Sequence, residues 1–186
     1  MGAVVVKHRF TVEEYHKMRE AGLFTEDDRV ELIAGEIVEM TPISSRHAAC
    51  VKRLNRLFPQ KLGERALVSV QDPIRLGEHA EPQPDLALLK PRKDFYSSDH
   101  PGPQDIFFLV EVAETSTDYD REVKLPLYAR AGIPEVWLVD LERETIAIYG
   151  KPSGQGYQEE RHFRRGQGFS SSALPGLTLT ADEVLG

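Results

Sequence analysis

Two carboxylates stand where apolar residues belong. Asp85 opens the run Pro84-Asp85-Leu86-Ala87-Leu88-Leu89, and Glu111 sits inside Ile106-Phe107-Phe108-Leu109-Val110-Glu111-Val112-Ala113. Both runs are short, apolar and bounded by Pro, Gly or charge, which is the pattern of buried strands. A carboxylate buried in such a strand is costly unless it is paired or bound to a cation. Two on neighbouring strands repel each other, and a divalent cation between them removes the repulsion. Mg²⁺ suits such a pair because it takes one or two protein carboxylates and keeps several waters. It also lowers the pKa of bound water and takes up negative charge developing on a substrate, which suits hydrolysis. The plain alternative is that Asp85 caps the turn after Pro84 and Glu111 forms a salt bridge with Lys124, which follows on a segment expected to be helical.

The elements that would carry these residues can be read in order. Thr11-Val12-Glu13-Glu14 has the spacing of a capping box and opens a helix with Tyr15 and Met18 on its apolar face and Gly22 at its end. Arg29 to Met40 reads as a hairpin turning at Ala34-Gly35. Ser44 or Ser45 caps a second helix, with Ala48, Val51, Leu54, Leu57 and Phe58 in helical register and Gly63 past its end. Pro59 is expected to kink or end it early. Ala66 to Gln71 reads as a strand that Pro73 to Leu76 continues, and Pro91 to Gln104 as a surface loop. A helix is expected from about Thr117 to Ala131, closed by Gly132; Pro126 inside it requires a bend or a later start. Glu135 to Asp140 and Thr145 to Tyr149 form a hairpin, Tyr157 to Phe163 adds a strand, and Leu177 to Leu185 reads as peripheral. Helices followed by a mixed sheet with one crossover helix define an α/β (α+β) fold in a single domain, 1–186, with its core at about 29–149.

Further candidates follow from this placement. Thr117, Asp120, Arg121, Lys124 and Tyr128 share one helix face at three- and four-residue spacing, with Val123, Leu127 and Ala131 on the packing face. Arg121 is a phosphate contact or an intrahelical ion-pair partner. Tyr128 touches substrate or plugs the edge of the core. His47, opening the second helix, is a surface residue or a contact to phosphate or water, and Gln71 could face the site from a neighbouring strand. Trp137 is read as core, and Cys50 as a small core residue rather than a nucleophile.

Composition narrows the class. The 186 residues suit one domain, and 40% hydrophobic residues without a low-complexity tract fit an ordinary soluble globule. No apolar run approaches the roughly 20 residues of a membrane span. The N-terminal residues lack the basic start and apolar stretch of a signal peptide and the myristoylation pattern. Cys50 is the single cysteine, so no internal disulfide forms. A cytoplasmic protein without a membrane partner is expected. The formal net charge of -7 argues against tight non-specific duplex binding, since phosphate contacts require basic patches. It leaves room for a local basic cluster.

The ordered set Val30-Glu31-Leu32-Ile33-Ala34-Gly35-Glu36, Ser45-Arg46-His47, Pro84-Asp85, Glu111-Val112-Ala113-Glu114-Thr115-Ser116-Thr117, Lys124 with Tyr128-Ala129-Arg130-Ala131-Gly132, and Val136-Trp137-Leu138-Val139-Asp140 spans roughly residues 29 to 149. It resembles the Uma-type restriction-endonuclease-like family of the PD-(D/E)xK nuclease superfamily. The chain departs from the motif at Ala113, where a lysine is usual; a variation in that superfamily moves the lysine to the following helix, where Lys124 stands. The resemblance implies a restriction-endonuclease-like mixed β-sheet flanked by helices and a Mg²⁺-dependent endonuclease, with Mn²⁺ as a substitute. It implies nucleic acid, DNA above all, as partner, and a homodimer by analogy. It makes Asp85, Glu111 and the main-chain carbonyl of Val112 the metal ligands. Lys124 becomes the group that orients water or stabilises the pentavalent phosphate, and Glu31 a further acidic residue from an N-terminal element. Two other classes stay open. Ala113 suggests a nucleic-acid-binding or toxin-like interaction module with a decayed site, and the acidic charge suggests a metal-dependent hydrolase of a smaller phosphate compound.

Overall fold

The computed structural model describes residues 6–25 and 27–186. The first part of the N-terminal reading falls on residues 1–5 and lies outside the described residues. In chain order, helix α1 (Val12–Glu20) is followed by the hairpin β1 (Val30–Ile33) and β2 (Glu36–Glu39), and then by α2 (Ser45–Leu62). Thr11 and Glu14 make the reciprocal capping box that opens α1. The hairpin turns at Ala34 and Gly35, with φ of 51° and 84°. Two positive φ values give the turn whose twist matches the strands. Gly35 is required there for a second reason: a Cβ on it would lie 2.6 Å from Cβ of Arg9.

Six strands then build the central sheet side by side: β3 (Leu67–Val70), β4 (Leu86–Leu89), β5 (Ile106–Ala113), β6 (Glu135–Asp140), β7 (Thr145–Ser153) and β8 (Gly156–Arg164). Every neighbouring pair is antiparallel except β5 and β6, which are parallel. A parallel pair needs a crossover. Here it is α3 (Thr117–Tyr119), a π-helical turn (Asp120–Lys124) and α4 (Leu125–Arg130) in direct succession. The short pair β9 (Gly168–Ser170) and β10 (Thr178–Thr180) and the helix α5 (Ala181–Leu185) close the chain.

Strand alternation sorts side chains to the two faces of the sheet. Phe108, Val110, Val112, Trp137 and Val139 pack on one face under Leu54 and Phe58 of α2. Leu109, Ala113, Val136 and Leu138 pack on the other against Leu125 and Tyr128 of the crossover. Trp137 is fully buried and stacks on Phe108 at 4.5 Å between ring centroids, as its reading as core requires. Cys50 is likewise buried in the first core.

Three expectations change. Pro59 neither kinks α2 to an end nor shortens it; the helix continues to Leu62. Pro59 and Asn55, whose carbonyl loses its donor, are both exposed, so the unpaired carbonyl is not shut away from solvent. Pro73 to Leu76 is not a strand: Ile74 and Leu76 donate to the carbonyls of Pro82 and Ala80 and fold the segment into a loop. The segment from Leu177 to Leu185 is not peripheral. Leu177, Leu179, Ala181 and Val184 are buried in the same core as Trp137, which extends the core beyond residue 149. Isolated apolar residues with no periodic partner in sequence gave no sign of this docking.

Candidate active site

The site forms where β5 outruns β4. Their ladder stops at the pair Leu86 and Val110, so the following residues of β5 have no strand partner on that side. Asp85, the residue just before β4, fills the gap with its side chain. Its Oδ2 accepts from the Val112 N–H at 2.8 Å. Strand geometry sends the C=O of Val112 toward the same open side. His47 Nε2 lies 2.9 Å from Asp85 Oδ2, and Gln71 Nε2 donates to Oδ1 at 3.1 Å. Gln71 holds a left-handed φ of 56°, and its N–H bonds the Asp85 carbonyl at 3.1 Å. A carboxylate accepts only, so His47 Nε2 is the donor; its Nδ1 is buried without a partner among the described residues.

Glu111 points to the crossover face with Leu109 and Ala113. Tyr128 Oη donates to Glu111 Oε1 at 2.5 Å, and Lys124 Nζ lies 3.4 Å from the same oxygen. Both contacts fall on Oε1, which leaves Oε2 for another partner. Lys124 Nζ is also 3.3 Å from Glu31 Oε1, and Glu31 Oε2 accepts from the N–H of Gln83 at 3.0 Å. Asp120 accepts from Ser116 Oγ at 2.8 Å. Glu31, Glu111, Asp120 and Lys124 are each 3–5% exposed. Three acids therefore surround one ammonium out of water.

The titration of this cluster follows from that imbalance. Burial, with the charges of Asp120 and Asp85 added, pushes Glu111 up to about 8 against the opposing pull of Lys124 and Tyr128. Burial also raises Asp120, against Lys124 and the Ser116 hydrogen bond. Burial pushes Lys124 down, but Glu111, Glu31, Asp120 and Asp85 together outweigh it and hold the ammonium well above its ordinary range. Lys124 stays charged, and Glu111 retains a proton near neutrality.

The crossover helix reaches this geometry through its widened turn. The Leu125 N–H bonds the Asp120 carbonyl five residues back, and Pro126 follows without an N–H to place. The helix thus starts at Thr117, not late, and the widened turn just before Pro126 accommodates the proline. The widened turn keeps Asp120, Lys124 and Tyr128 buried and sends Arg121 to solvent, where it faces Tyr149 and Glu160. Arg121 therefore lies outside the site, contrary to its reading as a phosphate contact. Tyr128 is fully buried behind Glu111 and cannot touch a substrate; it holds Glu111 instead.

A cleft of ≈ 560 Å³ opens onto this arrangement. Glu31, His47, Asp85, Glu111, Val112 and Lys124 line it, together with Asp120, Tyr119 and the segment 38–44. Eight of the sequence-derived candidates thus converge: those six in the lining, Gln71 behind Asp85 and Tyr128 behind Glu111. Sequence reading did not assign Asp120, Gln83 or Tyr119. Asp120 carried a signal, its four-residue spacing from Lys124 on the buried face. The Tyr119 hydroxyl is buried without a partner among the described residues. No three His, Cys, Asp or Glu side chains among the described residues converge as a ready-made metal cluster. The donor set that could hold an ion is Asp85, Glu111 and the Val112 carbonyl, a number of protein oxygens that suits Mg²⁺ with its retained waters.

A mixed sheet whose parallel pair is bridged by a helix, with acids and a lysine at the carboxyl end of that pair, is a nuclease-like α/β architecture. The same fold occurs in a crystal structure described as "a putative nuclease belonging to DUF820" from Anabaena variabilis ATCC 29413, with a TM-score of 0.67 and 19% identity over 95% of this chain and 97% of that one. A model of the Uma2 family, described as "Putative restriction endonuclease", matches residues 12–182, and the chain belongs to this family. No curated protein matches it. Among the described residues no helix is long and apolar enough to cross a membrane.

Proposed function

We propose that the protein is a divalent-metal-dependent endonuclease of the PD-(D/E)xK type that hydrolyses phosphodiester bonds in nucleic acid, DNA above all. The observation that carries this reading is the Lys124 ammonium, 3.3 and 3.4 Å from Glu31 and Glu111, in a cleft whose other wall is Asp85, oriented by His47, Gln71 and the Val112 N–H. Asp85, Glu111 and the Val112 carbonyl would hold Mg²⁺ or Mn²⁺. When bound, the ion lowers the pKa of water and takes up phosphate charge. The chain's own residues do the rest. His47, Gln71 and the Val112 N–H fix the carboxylate of Asp85 before substrate arrives. Glu31 and Glu111 fix Lys124, whose positive charge stabilises the oxygens of a phosphate in the cleft as they gain charge. Lys124 thereby supplies the cation that Ala113 lacks.

The test is a cleavage assay on single-stranded, duplex and branched DNA with Mg²⁺ or Mn²⁺. Cleavage by the native protein and none by Asp85→Ala is expected; equal cleavage by both would end the reading. A second reading, hydrolysis of a smaller phosphate compound, is favoured by the charge of the cleft. Glu31, Glu39, Asp85, Glu111, Glu114 and Asp120 line it against Arg29 and Lys124. Turnover of a small phosphate ester without any cleavage of DNA would select it.

A further inference from the structure

Helix α2 carries Arg46, Lys52, Arg53, Arg56 and Lys61 and no Asp or Glu in its 18 residues, in a chain of net charge -7. Its first turn belongs to the cleft: Ser44 caps it, and His47 reaches Asp85. At about 1.5 Å per residue it then runs roughly 27 Å away from that point. Cys50, Val51, Leu54, Phe58 and Leu62 bury one side of it. Lys52 and Arg56, four residues apart on the opposite side, are exposed, and neither has a carboxylate within 4.0 Å among the described residues. Arg53 donates to the main-chain carbonyls of Val184 and Leu185 and has no carboxylate within 4.0 Å among the described residues. Arg46 joins this face to the cleft, through Glu114 on the cleft's rim at 3.1 Å. Beside it a second hollow of ≈ 250 Å³ is lined by Arg46, Arg53 and Arg165 with Glu144 as the one acidic side chain.

We infer that the outer face of α2, centred on Lys52, Arg53 and Arg56, is the docking track for the phosphate backbone of the nucleic acid whose scissile bond enters the cleft. The inference rests on the proposed nuclease reading. It also resolves that reading's main difficulty. The cleft repels a polyanion, whereas a cationic helix that begins at the cleft attracts one and delivers it there. Nucleic acid is favoured over other polyanions because the track is linear and continuous with the site. Binding to phosphate backbones is electrostatic and requires no base contacts.

Binding can be measured without turnover. Fluorescence anisotropy of labelled duplex and single-stranded DNA is followed in EDTA at several NaCl concentrations. The full-length protein is compared with Lys52→Glu/Arg56→Glu and with the milder Lys52→Gln/Arg56→Gln, whose folding is checked by circular dichroism. The expected result is binding at least tenfold weaker in the charge-reversed protein. The slope of log affinity against log salt should fall by about 2, one for each lost phosphate contact, and the glutamine pair should show the same slope change. Undiminished binding in both variants, or no DNA binding by the native protein, would overturn the inference, as would binding to anionic lipid vesicles in place of DNA. A parallel assay with bis(p-nitrophenyl) phosphate and Mn²⁺ separates the two claims. If neither this ester nor DNA is hydrolysed, the nuclease reading fails while the binding result still decides the track.

Discussion

Glu111 and Glu135 are the same group on adjacent strands, 4% and 1% exposed, and their surroundings treat them oppositely. Glu135 starts β6. Both its oxygens are used: Trp137 Nε1 donates to one at 2.7 Å and the Ser172 N–H to the other at 2.8 Å, with Arg161 at 3.8 Å. Glu111 lies near the end of β5. One of its oxygens takes both Tyr128 and Lys124, and two more acids crowd the same lysine. The strands are parallel, so the two glutamates mark opposite ends of the pair. The saturated one ties β6 to the tail. The acid-rich one lies at the carboxyl end, where α/β sheets bind ligands. Burial of a carboxylate therefore does not identify a site; a surplus of acid over donors, opening on a cleft, does.

Exchanging the two should expose the difference most sharply. Glu111→Gln is expected to abolish metal-dependent cleavage without unfolding the protein. Glu135→Gln should leave turnover unchanged and cost stability on the order of 1–3 kcal/mol, because it weakens a carboxylate's bonds to buried donors. Steady-state rates and urea denaturation of both variants read this directly. The reverse pattern would dissolve the contrast.

Lys124→Ala should lower kcat a hundredfold or more, the scale of one preorganised electrostatic group, with little change in metal affinity. Lys124→Arg should rescue poorly, because a planar guanidinium does not replace a compact ammonium between Glu31 and Glu111. Full activity in Lys124→Ala would show that the cation is supplied elsewhere.

The pH dependence of stability sharpens the comparison further. The Glu111 pKa rises from 4.5 to about 8 on folding, so the folded state binds more protons. Its contribution is fully present below about pH 4.5 and is lost as pH rises through about 8. In metal-free protein the urea midpoint should therefore drift down across that window, and Glu111→Gln should flatten the drift. An unchanged slope in the variant would mean that Glu111 ionises normally.

The smallest effect is expected for Tyr128→Phe. It removes one buried hydrogen bond, about 1 kcal/mol of stability. It also removes a donor that lowers the Glu111 pKa, so the acidic limb of the pH–rate profile should move to higher pH. A pH–rate profile identical to the native one would remove Tyr128 from the support of Glu111.

Much of this was legible in the chain. Asp85 and Glu111 betray themselves as acids in apolar strands, and family resemblance points to Glu31. The hairpin at Ala34-Gly35 and the caps of α1 and α2 are local, and local chemistry decided them. Family resemblance, not spacing, singled out Lys124. What stayed hidden depends on tertiary contact. Nothing in sequence couples His47, Gln71 and the Val112 N–H, 14 to 38 residues distant from Asp85, to one carboxylate. Ideal helical spacing puts Arg121 on the face of Lys124, and the widened turn before Pro126 removes it from there. The surplus of acid at Glu111 depends on Asp120 facing inward, which only the packed crossover decides.

Calorimetric titration of metal-free protein with Mn²⁺ near neutral pH, in two buffers of different ionisation enthalpy, tests the central claim most directly. Saturable binding is expected, with release of close to one proton to the buffer as the ion displaces it from Glu111. Glu135→Gln should behave the same, and Glu111→Gln should lose the proton release and most of the affinity. Absence of binding in the native protein, or binding that survives Glu111→Gln unchanged, would contradict it.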